Sequence, residues 1–122
     1  MELYVCSHCG NIVTYLEKSQ VPVMCCGQKM QKIEPNTTDA AQEKHVPVIS
    51  VDDLLVTVSV GEVTHPMQED HYIKFIILET TEGIKIKHLT PTDAPIAIFS
   101  LLDGEKVLGA YEFCNKHGVW KA

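Results

Sequence analysis

Five cysteines and six histidines include two groups whose types and spacing suit metal binding. The first is Cys6-Ser7-His8-Cys9-Gly10 with the adjacent pair Cys25-Cys26-Gly27. The second is His45, His65 and His71, followed by Cys114 and His117 near the C-terminus, and together the two groups leave no cysteine over. Ligand softness and geometry select both the metal and its reactions, so a tetrathiolate set and a set of four imidazoles with one thiolate imply different chemistries. The first fills a tetrahedron with protein and leaves no place for a substrate. The second offers five ligands, and an open position beside them is what makes a metal site reactive.

In the first group, a Cys-x-x-Cys-Gly turn brings two sulfurs to one ion, and the glycine frees the backbone to curl so that amide N–H groups point at them. Cys25 and Cys26 complete the four. Tetrahedral sulfur suits iron or zinc equally, giving either a one-electron iron centre or a structural zinc knuckle. His8 reads as a surface residue, because four thiolates already suffice. A disulfide between neighbours such as Cys25 and Cys26 closes a strained ring, whereas both thiolates reach one ion if the chain turns at Gly27. The cysteine pattern is therefore that of a metal site in a reducing compartment, the cytoplasm.

In the second group no single pair decides the matter, since an isolated histidine is most often only hydrogen-bonded or solvated. Cys114-Asn115-Lys116-His117 is a two-ligand turn after an apparent strand. His65-Pro66 and His71-Tyr72 flank an acidic turn, and His45 opens the β-rich region. Together they suit loops at one end of a strand scaffold. His88 shares the alternation phase of Ile84 and Ile86 and reads as structural. A blue-copper site needs two histidines, one cysteine and commonly an axial methionine. No methionine follows Cys114 and the histidines are too many, so iron with five protein ligands fits better.

The elements that must place these groups read as strands. Residues 1–33 hold too few apolar positions for a core of their own, so metal binding must supply folding energy there. Glu34 to Gln42 is polar and turn-rich, which divides the chain into domains 1–35 and 36–122. From His45 onward short alternating stretches predict an all-β sandwich or barrel. Val56, Val58 and Val60 alternate with Thr57 and Ser59, and Ile84 and Ile86 with Lys85 and Lys87. Ile96–Leu102 and Lys106–Phe113 flank Asp103-Gly104, a strong hairpin signal. No 12-residue amphipathic helix pattern competes.

Charge and hydropathy narrow the partners. A net charge of -6, with all ten cations lysine, argues against nucleic acid and against bidentate phosphate recognition. The apolar runs are too short to cross a membrane, and the N-terminus lacks a signal-peptide pattern.

The chain resembles desulfoferrodoxin, the two-iron class of superoxide reductase. Cys6 to Asn11 and Cys25-Cys26-Gly27 resemble its desulforedoxin-like N-terminal metal knuckle. Glu43-Lys44-His45-Val46-Pro47-Val48, His65-Pro66-Met67, His71 and Cys114-Asn115-Lys116-His117-Gly118 resemble the motifs of its catalytic domain. The resemblance implies an immunoglobulin-like β-sandwich, a homodimer and two iron ions per chain. One iron would be held by Cys6, Cys9, Cys25 and Cys26, where zinc is an alternative. The other would have His45, His65, His71 and His117 as equatorial ligands and Cys114 as the axial one. The implied activity is one-electron reduction of superoxide to hydrogen peroxide. Lys44 would draw superoxide in, Glu43 would ligate the oxidised iron, and a rubredoxin-like carrier would donate electrons. Phe113 departs from the tyrosine expected beside the axial cysteine. The competing readings are an electron carrier using both irons and a structural zinc protein.

Overall fold

Hydrogen bonding between strands dominates this backbone, as short alternating runs require. The computed structural model describes residues 1–122 and divides into two compact units, Met1–Glu34 and Pro35–Ala122.

In the first unit, β1 (Tyr4–Val5), β2 (Ile12–Val13), β3 (Met24–Cys25), β4 (Gln28–Lys29) and β5 (Gln31–Lys32) are two residues each. They form a three-stranded sheet, β2-β1-β5, and a ribbon, β3-β4. Tyr4, Cys6 and Met30 make its small core, packed against Val13, Tyr15 and Cys25. The ribbon turns at Cys26 and Gly27, both with positive φ (52° and 74°). That is the twist a two-residue hairpin turn needs, and it sets Cys25 and Cys26 beside each other at the ribbon's tip.

The second unit begins with one helical turn, α1 (Gln42–His45), followed by β6 (Pro47–Asp52), β7 (Leu55–Val60), β8 (Ile73–Thr80), β9 (Gly83–His88), β10 (Ile96–Ser100), β11 (Val107–Cys114) and β12 (Gly118–Lys121). These make an antiparallel sheet in the order β10-β7-β6 and another in the order β12-β11-β8-β9. The predicted all-β sandwich is present in its seven-stranded, immunoglobulin-like form. The alternation in β7 is realised as expected: Val56, Val58 and Val60 face inward. There they pack with Ile73, Ile76, Leu78, Ala97, Phe99, Ala110 and Cys114. Because the two sheets bury their apolar faces on each other, Cys114 enters the core from the end of β11.

Two expectations from the sequence need correction. Asp103-Gly104 does form a turn, with Glu105 N–H donating to the Leu102 carbonyl at 3.1 Å. It does not join a hairpin, however, because β10 pairs with β7 and β11 pairs with β8 and β12. The turn carries the chain from one sheet to the other, and Glu105 pins it. The buried Glu105 carboxylate accepts from Thr80 Oγ1 at 2.6 Å and Leu102 N–H at 2.7 Å, and it pairs with Lys85 at 3.1 Å. The second correction concerns β9, where Ile84 and Ile86 are exposed. Lys85 reaches Glu105 and the Ser100 carbonyl. On an edge strand, that ionic anchor decides which face turns inward.

Thr80, the Leu102 amide and Lys85 hold the Glu105 carboxyl below its usual value of 4.5. The fold thus favours the ionised form, and this contribution is present above the unfolded value and lost as pH falls through the lowered one. We expect Glu105→Gln to lower stability at neutral pH and to flatten its decline below about pH 4.5. Denaturant unfolding across pH checks this, and an unchanged acid limb would refute it.

Candidate metal centres

The five residues of the second group come from three places at one end of the sandwich. His45 closes α1, His65 and His71 lie in the connection between β7 and β8, and Cys114 and His117 flank the turn from β11 to β12. Their imidazoles form a closed ring of four edge-to-face neighbours. The centroid separations are 4.7 Å for His45–His65 and His65–His71, 5.1 Å for His71–His117 and 4.9 Å for His117–His45. The donor atoms of all five residues lie within 4.8 Å of one another, with Cys114 Sγ 3.8 Å from His117 Nδ1.

Hydrogen bonding shows which nitrogens are free. His45 Nδ1 lies 2.7 Å from the Ala41 carbonyl, and His65 Nδ1 lies 2.7 Å from the Pro66 carbonyl. A carbonyl only accepts, so each Nδ1 carries the proton and each Nε2 presents a lone pair. Those two Nε2 atoms face each other at 3.2 Å, and His45 Nε2 lies 3.1 Å from His117 Nδ1. His71 Nε2 is buried with no hydrogen-bond partner. Lone pairs converging at such distances repel unless a cation lies among them. The donor set therefore fits a metal ion, with neutral imidazoles as ligands.

Burial reinforces that state. Desolvation lowers the pKa of His45 and His71 and takes His65 down to about 4, keeping the rings neutral. Burial pushes the Cys114 thiol up, against the backbone N–H groups of Lys116 and His117, which favour the thiolate. A thiolate in this place needs an adjacent cation. Trp120 stacks on His45 with centroids 5.0 Å apart and donates its indole N–H to the His117 carbonyl at 3.0 Å. It thereby braces two ligands at once.

The first group also converges. The four sulfurs lie within 4.8 Å of one another and all are free thiols. Cys9 Sγ and Cys25 Sγ are 3.6 Å apart, near the ~3.8 Å edge of a tetrahedron with metal–sulfur bonds of about 2.3 Å and far beyond a disulfide length. The Cys9 N–H, 3.5 Å from Cys6 Sγ, leads the groups that lower the Cys6 pKa to about 6. Cys26, facing Cys9, is pushed up to about 12. Thiols this close raise one another's pKa, and a cation among them would favour the thiolates.

His8 and His88 lie in neither cluster; His88 is exposed, with its ring 6.1 Å from that of Phe75. Glu43 and Lys44 are exposed on α1, next to His45. Phe113, in the place of the expected tyrosine, stacks on Phe75 at 5.4 Å.

Residues 1–33 match the desulfoferrodoxin N-terminal domain, and residues 37–122 match the desulfoferrodoxin family itself. The chain belongs to the desulfoferrodoxin family. It is 46% identical over 122 residues to a desulfoferrodoxin of Desulfarculus baarsii, covering 100% of this chain and 95% of that one. Its fold resembles the superoxide reductase of Treponema pallidum, with a TM-score of 0.82 and 38% identity over 98% of each chain. A shorter superoxide reductase (1Fe-SOR) from Giardia intestinalis aligns with a TM-score of 0.58 and 34% identity, covering 66% of this chain and 95% of that one.

Two supports in this desulfoferrodoxin-family chain escaped sequence reasoning. Trp120 lies beyond the ligand motif, and only its size and rarity marked it. Asn115, inside the motif, staples the His71 loop to the ligand turn. Its Oδ1 accepts from Tyr72 N–H at 2.9 Å, its Nδ2 donates to the Asp70 carbonyl at 3.0 Å, and its own N–H donates to the Tyr72 carbonyl at 3.2 Å. We expect Asn115→Ala to free His71 and weaken metal retention at the five-ligand site by about 10–100-fold. Competition with a chelator measures this, and wild-type retention would show that the staple is dispensable.

Proposed function

We propose that this chain is a superoxide reductase that reduces superoxide to hydrogen peroxide at a ferrous ion held by His45, His65, His71, His117 and Cys114. The carrying observation is the closed ring of four imidazoles with the thiol of Cys114 on its core side. Superoxide, one electron and two protons give one hydrogen peroxide. Ferrous iron in this donor set supplies the electron and, beyond five protein ligands, an open position.

The chain's own groups set the rest. Cys114, as thiolate, would donate charge toward the ion and so favour release of the peroxide product. The carbonyls of Ala41 and Pro66 fix the tautomers of His45 and His65, so neither ring reorients during turnover. The protein carries a net charge of -6, which repels an anion at long range. Lys44, exposed beside His45, would therefore act as a local positive charge that focuses superoxide at the site, and Glu43 would ligate the oxidised ion.

The first unit, with Cys6, Cys9, Cys25 and Cys26, holds a second iron that relays electrons or supports assembly; zinc would serve only the latter. The proposed functional domains are 1–35 and 36–122, a reading supported by the two compact units Met1–Glu34 and Pro35–Ala122. A rubredoxin-like carrier is the electron donor. Five free thiols suit a reducing compartment, so the cytoplasm is the proposed location. No helix is long and apolar enough to cross a membrane. The active form is a homodimer. Its support is the outer face of the β10-β7-β6 sheet, where Ile96, Ile98, Leu55 and Val48 are exposed among Thr57, Ser59, Ser50 and Ser100. Asp52 is the one charge in these rows. A second copy could cover such a face, and a monomer in sedimentation equilibrium would refute this.

The deciding experiment measures peroxide formed per superoxide consumed by anaerobically purified, pre-reduced protein supplied with an electron donor. We expect one peroxide per superoxide, and Cys6→Ser should keep that ratio. One per two would indicate dismutation, and no consumption above background would favour an electron carrier. In the same assay Lys44→Ala should slow superoxide encounter about tenfold at low ionic strength, whereas a wild-type rate would remove Lys44 from the mechanism.

A further inference from the structure

The segment carrying Glu43 and Lys44 cannot hold itself in place. α1 is four residues long, and a single helical turn is unstable on its own because its nucleation is not repaid by later hydrogen bonds. Within it, Lys44 N–H donates to Ala41 at 3.2 Å and Val46 N–H to Gln42 at 2.9 Å. Across it, Val63 N–H donates to the Glu43 carbonyl at 2.8 Å. His45 anchors its C-terminal end, against the Ala41 carbonyl and under Trp120, and under the backbone of Glu43 and Lys44 lies Gly61, just past the end of β7. A Cβ at Gly61 would lie 2.8 Å from the Glu43 carbonyl oxygen, 2.9 Å from the Lys44 carbonyl carbon and 3.0 Å from the Val46 carbonyl oxygen. These are backbone atoms, which cannot swing aside as a flexible side chain would. A glycine is needed here for space: α1 rests directly on its Cα.

The same short stretch leads to a ligand. Gly61 N–H donates to Val63 at 3.3 Å, and His65 N–H donates to Val60 at 2.9 Å. One strip of chain therefore both delivers His65 and seats the backbone of Glu43 and Lys44. We propose that Gly61 is a positioning residue for the superoxide reaction, whose missing side chain sets the place from which Lys44 and Glu43 act on the open side of the five-ligand site. This rests on the reading of Lys44 as the residue that attracts superoxide.

Gly61→Ala must push the α1 backbone off its seat. Its expected signature is a rate of superoxide encounter lowered about as far as in Lys44→Ala, about tenfold at low ionic strength, with a weakened dependence on salt. The Gly61→Ala/Lys44→Ala double variant should be no slower than Lys44→Ala alone, since both act through one group. Metal content at both sites, measured alongside, separates a shifted Lys44 from a lost ion. A Gly61→Ala protein with full metal content and the wild-type rate and salt dependence overturns the proposal, as does additivity in the double variant. Should Lys44→Ala itself react at the wild-type rate, the reading of Lys44 fails, and the proposal fails with it. If Gly61→Ala does not fold or loses its metal, amide hydrogen exchange on the unaltered protein decides. The seat requires the Val63 N–H to exchange slowly although Val63 is 48% exposed, and exchange at the rate of a free amide overturns it.

Discussion

Everything at the reactive end of this protein follows from the repulsion among donor atoms that the fold brings face to face. His45 and His65 present Nε2 lone pairs 3.2 Å apart, and the Cys114 thiol lies in the core beside them. No hydrogen bond among the rings satisfies all of these groups together, since the Nδ1 protons of His45 and His65 are already committed to carbonyls. A cation resolves the conflict by turning mutual repulsion into shared attraction. Metal binding and local order are thus one equilibrium, and the surrounding hydrogen bonds orient the rings for it.

The sandwich makes that convergence possible because it is rigid where the ligands attach. Cys114 is the last residue of β11, and its core-facing position follows from the same alternation that buries Ala110. The other ligands sit on connections or, for His45, on the single helical turn α1, and each of these segments is tied down by a specific contact. Asn115 staples the His71 loop, Trp120 braces His45 and the His117 turn, and Gly61 lets the Glu43–Lys44 turn lie against the strip that carries His65. The first unit works the other way. Its strands are two residues long and its core is small, so the four sulfurs organise the chain more than the chain organises them.

Much of this was legible in the sequence, for identifiable reasons. Ligand chemistry is confined to few residue types, so nine cysteines and histidines in two groups could be picked out without knowing the fold. Period-two alternation marked β7 because both faces of that strand have consistent surroundings. The same logic misled at β9 and at Asp103-Gly104. In β9 the lysine face turns toward a buried partner, Glu105. At Asp103-Gly104, the turn that looks like a hairpin links two different sheets, because Glu105 binds Thr80 and Lys85. Local pattern carries no information about a partner 20 or more residues away.

By itself, then, the sequence determined the donor atoms, the division into a thiolate set and an imidazole set, and the all-β character, because each depends on residue type and short-range spacing. Tertiary structure alone decided which nitrogen of each ring is free, which sheet each strand joins and what steadies the ligand loops. Those depend on carbonyls, an indole, an amide and an absent side chain brought together from distant parts of the chain. Their roles come from position, and nothing in residue type announces them.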